Sequence, residues 1–263
     1  MSKYNDIDLK QWLDYKDIST DTLWIIDKRD NSGAHSGHYH GNFVPQIAHQ
    51  LLSRYTKKGD WVLDPFAGSG TSLIEAQRMY RNSIGIELLE DVAKEANTRI
   101  ASEKNLYCYS RVLHGDSRDY EIGSIVEKLG IKAFQFMFFH PPYWDIIKFS
   151  DKPEDLSNCS SFDSFMEALK DVVLNTTAYL EKGRYMGLVI GDKYQNSQVF
   201  PLGFYCMQMF MDCGFLLKAI IVKNIGDTKA KSNLHGIWRY RAIASDFYIF
   251  RHEYIFVFKK IRQ

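Results

Sequence analysis

The chain has 263 residues, 45% of them hydrophobic and 14% aromatic, and carries a formal net charge of +1. That much apolar material supports one large core without metals or disulfides, and so small a charge excludes nucleic-acid binding driven by overall charge alone. No apolar run approaches the ~20 residues that span a bilayer. The polar start, Met1 to Asp6, is unlike a signal peptide, so a cytoplasmic protein is expected, made of a single domain over 1–263. Cys108, Cys159, Cys206 and Cys213 lack zinc-ribbon spacing, and none follows a proline; they read as reduced structural thiols.

In chain order, His35, His38 and His40 come first, with no cysteine or paired acid beside them. A surface loop or nucleic-acid contact is expected there rather than a metal site. Trp61 to Leu63 then forms an apolar strand, Asp64 stands at its carboxyl end, and Gly68 and Gly70 make a turn into a helix over Thr71–Met79, with Thr71 as its cap. A phosphate-cradling loop needs a lysine after the second glycine, and a dinucleotide fingerprint needs a third small residue where Leu73 stands. Both are therefore set aside. The next strand, 83–87, ends in Glu87, at about the spacing where doubly wound folds place an acid on ribose hydroxyls. After a helix over Leu89–Glu103, a strand near 109–114 leads to a third acid, Asp116. A turn led by carboxylates suits a cationic ligand better than a pyrophosphate, and S-adenosylmethionine fits that description.

The second half continues with a strand over 134–139 that opens into His140-Pro-Pro-Tyr143, a helix over Phe162–Leu180, a strand over 185–190 and a helix over Leu202–Cys213 stopped by Gly214. The strand Phe215–Val222 is expected to pair antiparallel with Tyr254–Phe258. Strands alternating with helices imply an α/β fold with a doubly wound, mostly parallel sheet covered on both faces.

The run Asp64-Pro-Phe-Ala-Gly-Ser-Gly-Thr71 resembles motif I of the S-adenosylmethionine-dependent DNA amino-methyltransferases, and Phe134 to Trp144, centred on His140-Pro-Pro-Tyr143, is similar to their catalytic Asp/Asn/Ser-Pro-Pro-Tyr/Phe run. The resemblance extends to His40–Gln46, where the family binds the methionine end of the cofactor, and to His252–Lys259 as a late hairpin strand. It implies a class I, Rossmann-like methyltransferase fold with seven strands and a C-terminal antiparallel hairpin. It implies a cofactor site of Asp64, Phe66, Gly68, Ser69, Gly70, Thr71, Glu87 and Asp116, joined from 1–59 by Phe43 and Gln46. His140, Pro141, Pro142 and Tyr143 would be catalytic: the first side chain and the Pro141 carbonyl accept hydrogen bonds from an exocyclic amine, and Tyr143 stacks on a flipped base.

The departure is His140, where the family usually carries Asp, Asn or Ser. A neutral imidazole accepts a hydrogen bond and a protonated one cannot, so activity is expected to fade at acid pH. Histidine also leaves adenine N6 and cytosine N4 undistinguished as targets.

For DNA, basic and aromatic side chains interleave in 223–251, where Lys229, Lys231, Trp238, Arg239 and Arg241 suit phosphate and base contacts. Lys148 lies in a candidate lid after Tyr143. The chain has little room for a separate recognition domain, so sequence specificity is expected from this segment, from the N-terminal residues or from a partner subunit. The expected activity is methyl transfer to an exocyclic amine in DNA, with neither a metal nor a membrane involved. The open alternatives are an RNA or protein amide methyltransferase and a non-catalytic nucleic-acid-binding subunit.

Overall fold

The computed structural model describes residues 4–103, 105, 107–225 and 235–261. Its elements are β1 (Leu23–Trp24), α1 (Pro45–Tyr55), β2 (Trp61–Asp64), α2 (Thr71–Arg78), β3 (Asn82–Glu87), α3 (Glu90–Ser102), β4 (Ser110–His114), α4 (Ile122–Leu129), β5 (Phe134–Phe139), α5 (Phe162–Thr177), β6 (Leu180–Ile190), β7 (Lys193–Gln195), β8 (Gln198–Phe200), α6 (Leu202–Asp212), β9 (Phe215–Asn224), α7 (His235–Ala244) and β10 (His252–Lys260).

β5 explains the centre of the fold. Phe134, Phe136, Phe138 and Phe139 are fully buried, each contributing on the order of 2 kcal/mol by leaving water, and alternate side chains feed opposite layers. Phe136 and Phe138 pack with Ile47, Leu51 and Leu52 of α1, while Met137 and Phe139 join Phe165, Leu169 and Val172 of α5, as does Phe134, which lies beyond a register irregularity between Phe134 and Phe136. Helices α1, α2 and α3 thus cover one face, and α4, α5 and α6 the other.

The sheet has eight strands in the order β1-β9-β10-β6-β5-β2-β3-β4. The seven expected strands are joined by the two-residue β1, which pairs parallel with β9 at the edge. β10 runs antiparallel to both β6 and β9, as expected of the late hairpin, and a register irregularity falls between Val257 and Phe258. The chain leaves β2 for β3 and β4, then returns to β5 on β2's other side. At such a switch point the connections diverge, leaving a crevice at the carboxyl ends of the strands.

Several boundaries differ from expectation. α5 ends at Thr177, where the Thr176 and Thr177 hydroxyls donate to the Val172 and Val173 carbonyls, and β6 already begins at Leu180. Gly70, at φ +82°, is the cap residue of α2 and Thr71 is its first helical residue; a left-handed backbone there favours glycine. The segment 223–251 is less irregular than expected, because β9 reaches Asn224 and α7 occupies its second half. Lys229 and Lys231 lie outside the described residues.

Candidate active site

A cavity of about 400 Å³ occupies the crevice at the carboxyl ends of β2, β3 and β5. Asp64, Phe66, Gly68, Thr71, Glu87, Asp116, Phe43, His140, Pro141, Pro142 and Tyr143 all line it. The turn after β2 and the run after β5, seventy residues apart in sequence, are therefore brought to one space. Ser69, Gly70 and Gln46 stand behind the lining: the Ser69 hydroxyl donates to Asn42 Oδ1 at 2.8 Å, and Gln46 is turned away, donating to the Lys28 carbonyl at 2.7 Å.

The three acids differ in environment. Asp64 is buried, accepts from the Phe66 amide at 2.9 Å and from the Ser72 hydroxyl, yet burial outweighs those bonds and the nearby His140, and its pKa rises to about 6. Glu87 is also pushed up by burial, although it accepts from the Gly68 and Leu89 amides at 2.9 Å each; each carboxylate oxygen keeps a second acceptor site. Asp116 is gripped by Arg118, whose Nε lies 3.0 Å from Oδ2.

A strap over 39–43 roofs the cavity. Tyr39 packs across Gly68, whose backbone sits at φ +49°, and stacks on Phe149 with ring centroids 6.3 Å apart. Arg29 fixes the strap from behind by donating to the Phe43 carbonyl at 2.8 Å and the Ser36 carbonyl at 3.1 Å. Ile146, Ile147 and Phe149, from the segment after Tyr143, also line the cavity. In that segment Lys152 donates to the Leu88 carbonyl at 2.9 Å, while the exposed Lys148 pairs with Asp151 at 2.6 Å.

His140 is held differently from expectation. Its Nδ1 lies 3.1 Å from the Val189 carbonyl oxygen and its Nε2 2.7 Å from the Gly41 carbonyl oxygen. Both neighbours are acceptors, so both ring nitrogens are donor positions; a neutral ring satisfies one of them and an imidazolium satisfies both. Phe43 and Tyr143 meet the ring edge-on, at 5.2 and 5.6 Å between centroids. In this arrangement the ring presents no acceptor nitrogen to a ligand, contrary to the expected role of a neutral His140.

Behind Tyr143 lies a group that sequence reasoning missed. The Tyr143 hydroxyl donates to Glu253 Oε2 at 3.0 Å, and Glu253 Oε1 receives Lys223 Nζ at 2.9 Å. Burial and the Glu253 charge push the Tyr143 hydroxyl well above its ordinary pKa. Beside it, Lys193 Nζ sits 3.8 Å from the Trp144 ring centroid and pairs with Asp145. No local pattern marks Glu253 or Lys193; only the fold brings Glu253 to the cavity lining and Lys193 onto Trp144.

His35 is a further correction. It is buried rather than on a surface loop, with Nε2 2.9 Å from Glu75 Oε2, and His49 Nδ1 lies 2.9 Å from Glu75 Oε1. Among the described residues no group of three or more His, Cys, Asp or Glu is arranged to hold a metal, and no helix is long and apolar enough to cross a membrane.

Of the expected nucleic-acid residues that are described, Lys148, Trp238, Arg239 and Arg241 are not among the residues lining this cavity. On α7, Arg239, Trp238 and Tyr240 are exposed, and the Arg241 guanidinium lies 5.4 Å from the Trp238 ring centroid.

Residues 2–98 match the sequence family described as DNA methylase. The type II methyltransferase M.MjaII of Methanocaldococcus jannaschii is 40% identical over 73 residues, 27% of this chain and 13% of that one. M.HindIII of Haemophilus influenzae is 41% identical over 61 residues, 23% of this chain and 20% of that one. The chain matches less than two thirds of the length of these relatives. Among solved structures, TrmN from Thermus thermophilus superposes with a TM-score of 0.54 at 18% identity, covering 84% of this chain and 50% of that one. A methyltransferase from Pyrococcus furiosus gives 0.52 at 16% identity, covering 86% and 88%. The fold is the Rossmann-like methyltransferase fold.

Proposed function

We propose that this chain, whose residues 2–98 match the DNA methylase family, is an S-adenosylmethionine-dependent DNA amino-methyltransferase acting on adenine N6 or cytosine N4. The observation that carries the reading is the single cavity of about 400 Å³ that joins the Asp64–Thr71 turn, Glu87 and the His140-Pro-Pro-Tyr143 run.

The residues present suit the cofactor. Glu87 keeps acceptor capacity for ribose hydroxyls, Phe66 offers an adenosine an apolar surface, and the acid Asp64 suits a cationic ligand. The bound cofactor supplies an electrophilic methyl group on a sulfonium. The chain's part is to orient and to exclude water. Pro141's carbonyl accepts a hydrogen bond from the target amine, which favours a pyramidal nitrogen with its lone pair free. Tyr143 offers a flat wall to a base turned out of the duplex. The Tyr39–Phe149 roof keeps bulk water off the reacting pair, where positioning and fixed dipoles are most effective.

Cofactor affinity is expected to depend on Asp64. A cationic ligand selects the carboxylate, whereas the unliganded protein keeps it protonated below about pH 6. Affinity measured by calorimetry is therefore about tenfold weaker at pH 5 than at pH 7, one pKa unit corresponding to a factor of ten. Asp64→Asn flattens the profile. A pH-independent affinity in the native protein contradicts the assignment.

DNA docks in this reading against α7, with Arg239 and Arg241 on phosphates and Trp238 against a base. Replacing both arginines by alanine weakens DNA binding and lowers the slope of log affinity against log salt by about 2, roughly one per phosphate contact. The purified chain alone, given tritiated cofactor and unmethylated phage DNA, is expected to label the DNA, and Tyr143→Ala abolishes the label. Label that appears only after a cell extract is added assigns specificity to a partner subunit. Label on RNA or protein instead replaces the substrate class.

One observation favours a second reading, a non-catalytic nucleic-acid-binding subunit: both His140 nitrogens are committed to backbone carbonyls. Tight cofactor binding with no transfer to any substrate is its signature.

A further inference from the structure

Glu253 and Lys223 form a buried ion pair, 8% and 5% exposed, at directly opposed positions of β10 and β9. Burying two charges is expensive, and an apolar pair of similar volume is often neutral or stabilising. A stability role alone therefore explains the pair poorly. What it does provide is an acceptor aimed at the Tyr143 hydroxyl, 3.0 Å from Glu253 Oε2. The other sides of the Tyr143 ring are also fixed. A Cβ on Gly191 would lie 2.9 Å from Tyr143 Cε2, so the ring rests on bare backbone there, and His140 meets it edge-on at 87°.

We propose that Glu253, held by Lys223, is a positioning residue that anchors the Tyr143 hydroxyl and so fixes the wall against which the target base stacks. The proposal rests on the reading of the cavity as a base-methylating site. An aromatic ring anchored only at its Cα–Cβ end swings at its far end, whereas a ring tied at the hydroxyl cannot. Stacking and in-line transfer both need the base held to a fraction of an ångström. Lys223 Nζ, bonded to Glu253 Oε1, leaves Oε2 turned toward the phenol, so the pairing of β9 with β10 is transmitted to the cavity wall.

The test is a double-mutant cycle with Glu253→Gln, Tyr143→Phe and the pair together, assayed with phage DNA and tritiated S-adenosylmethionine. Glu253→Gln preserves volume, but the new amide oxygen is drawn to Lys223, so the charge-assisted bond accepted from the phenol is replaced by a weaker neutral N–H contact of reversed direction. Each single variant is expected to lower kcat about tenfold, with cofactor affinity by calorimetry unchanged. The double variant is expected to be no worse than either single one, because both remove the same charge-assisted bond from the Tyr143 hydroxyl to the Glu253 carboxylate. Additive losses, or a Glu253→Gln enzyme equal to the parent, overturn the proposal while leaving the functional reading intact. A loss in Glu253→Gln explained by weaker cofactor binding or a lower Tm also overturns it. A parent protein that binds cofactor and labels no DNA overturns both.

Discussion

Replacing His140 by aspartate, the residue more usual before Pro-Pro-Tyr, is expected to lower kcat by about a hundredfold or more instead of raising it. The histidine lies between two backbone carbonyls, Gly41 at 2.7 Å and Val189 at 3.1 Å. A carboxylate there has nothing to donate, faces two carbonyl oxygens and brings a second negative charge toward Asp64. Gly41 would lose its tie to the strap side of the cavity and Val189 its cap at the end of β6. Leaving the acceptor of the buried Val189 without this partner costs about 1–3 kcal/mol, the exposed Gly41 carbonyl less, and displacement of the catalytic run by about 1 Å is enough for a hundredfold loss. Transfer to phage DNA measures the rate, and thermal unfolding measures the stability. A His140→Asp protein as active as its parent would show that the ring's two contacts have no part in the reaction.

Glu75→Ala is expected to remove about 3–5 kcal/mol of stability, the usual consequence of deleting one member of a buried charged cluster. Glu75 lies on α2, with its side chain 8% exposed, and receives His35 and His49 at 2.9 Å each. Burial alone would raise its pKa, but the hydrogen bonds from His35 and His49 prevail and hold it at about 2. Because this folded value lies below the ordinary 4.5, its contribution is present above that pH and is lost as pH falls through about 2. His49 is shifted the other way, upward from 6.5, chiefly by its hydrogen bond to Glu75. Its contribution is complete below 6.5 and fades as pH rises through its folded value. Urea unfolding should therefore show the largest difference between parent and Glu75→Ala at pH 5–6. An equal difference at pH 5 and pH 9 would argue that the cluster holds the N-terminal segment by packing alone.

What the sequence disclosed follows the range of each signal. The Asp64–Thr71 turn, the apolar β5 and the glycine after α6 are each specified within about ten residues, so a local pattern finds them. Helix α4 carries an equally local signal, since Ile122, Ile125, Val126 and Leu129 repeat at helical spacing, although it is absent from the elements expected above. Thr176 and Thr177 explain the overlong α5: Leu180 continues the apolar stripe while the hydroxyls close the last turn. Glu253, 110 residues from Tyr143, and Glu75, 40 from His35, had no local mark at all. An acid in a strand and a histidine in a loop read as solvated until folding shows what they face. His140 was legible as a departure but not as a donor, because its two partners are backbone carbonyls and any sequence supplies those.

The register of β10 sets where the chain tolerates a change of length. Alternate residues of a strand face opposite sides, so one residue added between His252 and Phe256 would turn Glu253 out of the cavity and present a neighbour in its place. The irregularity between Val257 and Phe258 places its extra residue, Lys218, on β9, and β10 itself runs past it in unbroken register with β6. A single-residue insertion after Phe258 should therefore leave Glu253 in place and displace only the end of the strand, where Lys260 Nζ donates to the Thr177 and Leu180 carbonyls, while the same insertion a few positions earlier disconnects the sheet from Tyr143.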